Sequence, residues 1–284
     1  MLETRIRICF VISILLSFNT ISFCQTGEEV LNYASELYAE ADYAQSALEL
    51  RRILFHTDYK TKECFLLLAD CCALTGKQAD FFKYYEQAMD LEENDSIRLE
   101  LKRILVRKHI QFEQPIYALI LLNELKDKLS EKESLFYAVA ANYLLNNYSE
   151  SKRRMHELSG FIPAYDSLYV SGIYLKAEKS WERNMNQYSI YSAVLPGAGQ
   201  MLSGAYMAGA DAFFLNMTIF SLAGVMISHL SFLDAFLTCY PLIKRYYLSN
   251  IIQAKKAAEE QKEANKYVYY NQLLDYMNEG LNPE

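Results

Sequence analysis

The chain has 284 residues and a formal net charge of −7, with 52% hydrophobic and 22% charged residues. That balance excludes a disordered chain, and its negative sign excludes a nucleic-acid binder working through general charge. Ten Gly and five Pro exclude a collagen-like or loop-rich chain, and a mean hydropathy of −0.06 excludes a polytopic membrane protein. Abundant Leu, Ala, Glu, Lys and Tyr point instead to an all-α protein.

Residues 1–24 have the three parts of a secretory signal peptide: Arg5 and Arg7 in a basic head, an apolar run from Ile8 to Phe18, and Ser22-Phe23-Cys24 before a cut that leaves Gln25 first. The run is short for a bilayer span. A lipoprotein cut before Cys24 is disfavoured by Phe23, where such signals want Gly or Ala. With the signal removed, Cys64, Cys71, Cys72 and Cys239 remain. The first three fall on one predicted helix, where a seven-residue step rises ~10 Å, too far for a disulfide. They are expected to serve as small buried apolar residues. The four His are scattered and unpaired, so no metal site is expected.

From 25 to 160 the pattern repeats. Val30, Tyr33, Ala34 and Leu37, then Asp42-Tyr43, then Ala47, Leu50 and Ile53 form one unit. Phe65, Leu68, Ala69 and Cys72, then Gly76-Lys77, then Phe81, Tyr85 and Ala88 form the next, 35 positions on. A weaker copy runs through Leu105, Val106, Ala118 and Leu122, and a clear one through Leu135, Val139, Asn147-Tyr148, Ser151 and Met155. Each reads as two amphipathic helices joined by a short turn, a unit that buries its apolar face only by stacking on neighbours.

These units resemble tetratricopeptide repeats. The small residues Ala34 and Ala69 stand where the two helices cross, Tyr43 and Tyr148 follow the turns, and Ala88 sits late in a second helix. Phe81, Val106 and Val139 depart from the small residues that this family favours. The resemblance implies a groove that takes a protein or peptide partner.

Beyond Pro163, residues 161–189 read as a connecting helix. Residues 190–249 change character. Leu195-Pro196-Gly197-Ala198-Gly199-Gln200, with Gly204 four further on, precedes a 17-residue uncharged run from Ala212 to Ser228 and a second apolar run from Leu230 to Ile243. The glycines do not make a phosphate loop, because no predicted strand precedes them and no Lys-Ser/Thr follows. The two apolar runs predict a tight helical hairpin, lying in a membrane or, alternatively, in the core of a soluble domain. Small residues four apart (Gly204, Ala208, Ala212; Ala205, Gly209) would let helices approach closely in lipid. Counting from a turn at His229 brings Asp211 level with Lys244, Arg245 and Tyr247, and predicts an Asp211–Arg245 or Asp211–Lys244 pair that fixes the register. Residues 250–284 continue as one long helix whose end (Tyr267, Tyr270, Leu274, Met277) needs a partner, either the repeats or another chain.

The Leu-Pro-Gly-Ala-Gly-Gln string, the hairpin, and Tyr246-Tyr247 with Asn250 after it resemble a small membrane domain of unknown function. That domain is fused to tetratricopeptide-like repeats in exported proteins of Bacteroidota-type bacteria. Leu202 stands where that family commonly has an aromatic. The resemblance implies membrane association, hence lipid as a partner, and no known chemistry.

The expectation is therefore an all-α chain: a helical-hairpin solenoid, an apolar hairpin and a long C-terminal helix. Its expected role is that of a non-enzymatic scaffold or adaptor, exported, periplasm-facing and attached to a membrane. No convergent nucleophile, acid–base pair or cofactor site is evident. The competing readings are a soluble exported protein that captures peptide or glycan, and a transport or membrane-assembly role for Asp211 and Asp234 in the hairpin. With both ends of the hairpin on the exported side, Lys244 and Arg245 leave the positive-inside tendency unsupported.

Overall fold

A computed structural model of the chain describes residues 26–56 and 59–281. The expected signal peptide, with Cys9, Cys24 and the cut before Gln25, lies outside the described residues. Among the described residues the chain is all-α: helical hairpins in series, an apolar hairpin, and a long C-terminal helix. The hairpins are α1 (Gly27–Ala39) with α2 (Tyr43–His56), α3 (Lys62–Leu74) with α4 (Gln78–Asp90), α5 (Asp95–Gln111) with α6 (Pro115–Glu124), and α7 (Glu131–Leu144) with α8 (Tyr148–Leu158).

The first helix of every hairpin stops in the same way. A residue with positive φ follows it: Ala41 (64°), Gly76 (75°), Glu113 (58°) and Asn146 (59°). The next N–H then turns back five residues, from Asp42 to the Leu37 carbonyl (2.9 Å), Lys77 to Cys72 (2.8 Å), Gln114 to His109 (2.7 Å) and Asn147 to Asn142 (3.0 Å). This closure satisfies carbonyls that a helix end otherwise leaves open. The helix starts are equally explicit. Thr26 and Glu29 form a reciprocal capping box, and Thr61, Ser130 and Asp166 each accept a first-turn N–H.

At the crossing positions Ala34, Ala69, Val106 and Val139 are all fully buried. In the outer two hairpins a serine of the second helix ties the crossing: Ser46 donates to the Ala34 carbonyl at 2.7 Å, and Ser151 to that of Val139 at 2.9 Å. The weak third copy thus shares the turn of the others, although its turn residue is Glu.

The chain divides into two compact units, one ending at Ile104 and one beginning at Leu105. In the first, Leu50, Leu68, Phe81 and Ala88 make the core together with Cys64, Cys71 and Cys72. These cysteines are free thiols, and Cys71 donates to Ser46 Oγ at 3.4 Å. Burial pushes the Cys71 and Cys72 thiols up, so they stay protonated and inert.

The second unit holds α7 and α8, then α9 (Ser167–Trp181), α10 (Asn186–Val194), the short α11 (Ala198–Leu202), α12 (Tyr206–His229), α13 (Phe232–Leu242) and α14 (Leu248–Leu281). A π-helical stretch, Ile243–Tyr247, joins α13 to α14 without a break. The end of α14 finds its partner inside the unit. Tyr270, Leu273 and Met277 share one core with Val139, Tyr143, Met155, Val170, Ile173 and Tyr174 of α7, α8 and α9. Residues on both sides of 160 lie in this one unit, where α7 and α8 share their core with α9 and α14.

Candidate functional site

The Leu195–Gly204 segment owes its shape to Pro and Gly. Leu195 is extended (φ −132°, ψ 110°), as a residue before Pro must be. Pro196 and Gly197 occupy the centre of a type II turn, with Gly197 at φ 87°, closed by the Ala198 N–H to the Leu195 carbonyl at 3.0 Å. The turn sends the chain into α11, and Gly204 at φ 94° ends α11 with the Ala205 N–H on the Gln200 carbonyl at 2.9 Å.

Two of these glycines are also points of close approach. A Cβ on Gly197 would stand 2.0 Å from the Gly209 carbonyl oxygen of α12. One on Gly199 would stand 2.1 Å from the Tyr188 carbonyl oxygen of α10 and 2.7 Å from Ala254 Cβ of α14. Gly209, one of the small residues four apart, packs on Met201 and the Gly197 carbonyl, whereas Ala208 of the other such series is exposed. The smallness of Gly209 lets α12 lie against the turn.

Between these contacts lies a closed polar cluster. Ser192, Gln200 and Asn250 are all buried. Ser192 Oγ donates to Gln200 Oε1 (2.8 Å) and accepts the Gly199 N–H (2.9 Å). Gln200 Nε2 donates to Asn250 Oδ1 (2.8 Å) and to its carbonyl (3.1 Å). Asn250 Oδ1 also accepts the Gly197 N–H (3.1 Å), and its Nδ2 donates to the Ser192 carbonyl (3.2 Å). Ser203 donates to the Gln200 carbonyl at 2.8 Å, and the Tyr247 hydroxyl donates to the Ala193 carbonyl. A buried network that satisfies its members fixes one arrangement of the helices around it. The N–H groups of Gly197 and Gly199 are spent on protein acceptors, so the turn offers no cradle for a phosphate. Leu195 faces solvent and takes no part in the cluster.

Sequence reasoning singled out Leu195, Pro196, Gly197, Gly199, Gln200 and Gly204, and noted Asn250. It missed Ser192 and Ser203. Their signal was a small polar residue in apolar surroundings on each side of the turn.

The apolar hairpin follows. α12 is the one described helix long and apolar enough to cross a membrane, and only 11% of its most apolar stretch is buried. Phe214, Leu222, Val225, Ile227, Phe232, Leu233, Phe236 and Leu237 are exposed. Its register corrects the expected pairing. Tyr247 meets Phe220, ring centroids 6.1 Å apart, and Cys239 Sγ reaches Met226 Sδ at 3.9 Å. Phe220 lies nine residues nearer the tip than Asp211, ~13 Å of helical rise. Asp211 is exposed and, among the described residues, forms no ion pair with Arg245 or Lys244; the Arg245 guanidinium sits 5.5 Å over the Tyr246 ring. A turn centred on His229 was the wrong premise: His229 is still helical, Leu230 and Ser231 make the connection, and the offset is already present at the Met226–Cys239 contact, before Pro241 and the π-helical turn.

Among the described residues no three His, Cys, Asp or Glu side chains gather as metal ligands. His109 hydrogen-bonds Gln114 at 3.1 Å, and burial holds its pKa below the usual histidine value. No protein-family model matches the chain, and neither curated proteins nor solved structures give a match.

Proposed function

We propose that the chain is a non-enzymatic scaffold of an exported compartment, held at a membrane by the α12–α13 hairpin. Its helical-hairpin repeats would hold a protein or peptide partner. The observation that carries this reading is α12: 24 residues, uncharged from Ala212 to Ser228, with only 11% of its most apolar stretch buried by protein. Soluble domains rarely leave so continuous an apolar surface in water, whereas a bilayer covers it. The resemblance to a small membrane domain fused to tetratricopeptide-like repeats supports the same reading, as does the signal-like N-terminus. Lys244 and Arg245 are exposed on the second arm and would govern how deep it enters, because cations draw headgroups or water with them.

The test is membrane fractionation of cells making the full chain, with a carbonate wash, beside a variant in which 206–242 is replaced by a short Gly/Ser linker. The full chain is expected in the carbonate-resistant pellet and the variant in the supernatant. Protease access to a tag at each end then gives the side. Recovery of the full chain in the soluble fraction would replace this reading with that of a soluble exported binding protein.

A further inference from the structure

A second feature lies beside the polar cluster, on the side away from the hairpin tip. A cleft of about 220 Å³ opens between the end of α9, the α11–α12 connection and the middle of α14. Arg183 and Lys262 line it, together with the polar side chains of Ser180, Ser203, Gln261 and Asn265, and no carboxylate is among its lining residues.

The two cations are held in place and left without counter-ions. Arg183 Nη1 donates to the Tyr188 hydroxyl at 3.1 Å, which fixes the guanidinium at the rim and leaves its other N–H groups open. Lys262 Nζ lies 3.8 Å from the centroid of the Trp181 ring, a cation–π contact that positions the ammonium without neutralising it. Lys266 stands over the same ring at 5.6 Å and adds to the positive potential. Among the described residues neither Arg183 nor Lys262 forms an ion pair. Some cations elsewhere are paired, such as Arg51 with Asp80, Arg153 with Glu150 and Lys255 with Glu259, whereas these two keep their charge available to a ligand.

The neutral donors complement the cations. Gln261 Nε2 donates to Asn265 Oδ1 at 3.1 Å, which turns the Asn265 amide so that its Nδ2 is free to donate. Ser180 adds a hydroxyl. A planar fork, a point charge and neutral donors around one cleft suit a tetrahedral oxyanion with several acceptor oxygens. Tyr206, which opens α12, also lines the cleft, so the anion can come from solution or as a headgroup beside the apolar hairpin.

We infer that this cleft binds a phosphate-monoester group, with Arg183 and Lys262 as its charged ligands. Unlike the scaffold reading, this requires no insertion into a membrane.

Trp181 is the chain's single tryptophan and lies beneath Lys262, so its emission reports on the cleft. The full chain in a neutral, phosphate-free detergent is titrated with inorganic phosphate and with glycerol 3-phosphate, against chloride at matched ionic strength. In a second arm the same micelles are doped with phosphatidic acid. A saturable change in Trp181 emission is expected in at least one arm. A response to the soluble esters identifies a free ligand, and a response confined to doped micelles identifies a lipid headgroup. Lys262→Gln and Arg183→Gln are each expected to weaken the response about tenfold or more, with unchanged helical melts. Arg183→Gln leaves the packing on Trp181 intact, so its loss of binding does not reflect a disturbed reporter. No saturable response in either arm, or full responses from both variants, overturns the inference.

Discussion

Gln200 and Asn250 are 50 residues apart and hold each other by two hydrogen bonds from one amide nitrogen, at 2.8 Å to the side-chain oxygen and 3.1 Å to the main-chain carbonyl. Asn250 returns the contact by binding the Ser192 carbonyl and accepting the Gly197 N–H. A turn built by Pro and Gly is thereby fastened to a helix that starts after the whole apolar hairpin. Asn250→Ala removes an acceptor from two buried donors at once. It is expected to cost about 2–4 kcal/mol in urea unfolding of the detergent-solubilised chain. A cost under about 1 kcal/mol would show that the cluster does not hold the helices together.

The glycines separate into two kinds. Gly197→Ala and Gly199→Ala drive a methyl group into backbone oxygen at 2.0 and 2.1 Å and should destabilise strongly, by ~3 kcal/mol or more. Gly172, inside α9, has nothing within 4 Å of an added Cβ, and Gly172→Ala should stabilise by ~0.5–1 kcal/mol. Thermal melts of the three variants side by side check the contrast.

Tyr270 is buried with no hydrogen-bond partner for its hydroxyl, although its ring packs on Tyr143 at 5.5 Å. Tyr270→Phe keeps the packing and removes the orphaned group, so stability should hold or rise by up to ~1 kcal/mol. Leu273→Ala, one turn on in the same core, should cost about 2–5 kcal/mol. Equal losses from both would mean that the hydroxyl has a partner.

Alkaline pH should unfold the second unit before free tyrosine chemistry is complete. Burial pushes Tyr148 and Tyr267 up to about 12, and raises Tyr143, Tyr174 and Tyr270 as well. An unfolded chain releases phenolic protons near pH 10, the folded chain only near 12, so raising pH between them favours the unfolded state. Stability should be flat below about pH 10 and fall above it. Tyrosinate absorbance should rise together with loss of helical circular dichroism; a rise that precedes unfolding would place these phenols in water.

Much of the fold was legible because helical hairpins write it locally. Ala34 and Ala69 mark crossings, Gly76 and Asn146 mark turns, and periodic apolar residues mark faces. The third hairpin read weakly because its second helix, Pro115–Glu124, is apolar on most sides, with Ile116, Tyr117 and Ile120 exposed, so periodicity does not mark its buried face. The hairpin register was not legible, because it depends on where the connection falls and how the two arms pack across it, and the apolar run through His229 does not mark the turn. The polar cluster was half legible. Pro196, Gly197, Gly199 and Gln200 stand together in sequence, but what they fasten to is set by tertiary contact. The docking of Tyr270, Leu273 and Met277 onto α7–α9 was open for the same reason: periodicity shows that a face must be covered and not by what.

The 3.1 Å bond from Gly197 to Asn250 makes everything between them an excursion that departs and returns at one point. Loop closure depends only weakly on the length enclosed, about 0.6 kcal/mol per doubling. The apolar arm is therefore free to vary in reach without disturbing its root. Matched turns added to or taken from α12 and α13 would leave Gly197 and Asn250 facing each other. The rest of the chain would fold as before, while the arm became longer or shorter. The turn with its polar cluster acts as a clasp, and the length of what hangs from it is a separate variable, set by the surroundings the arm must fit.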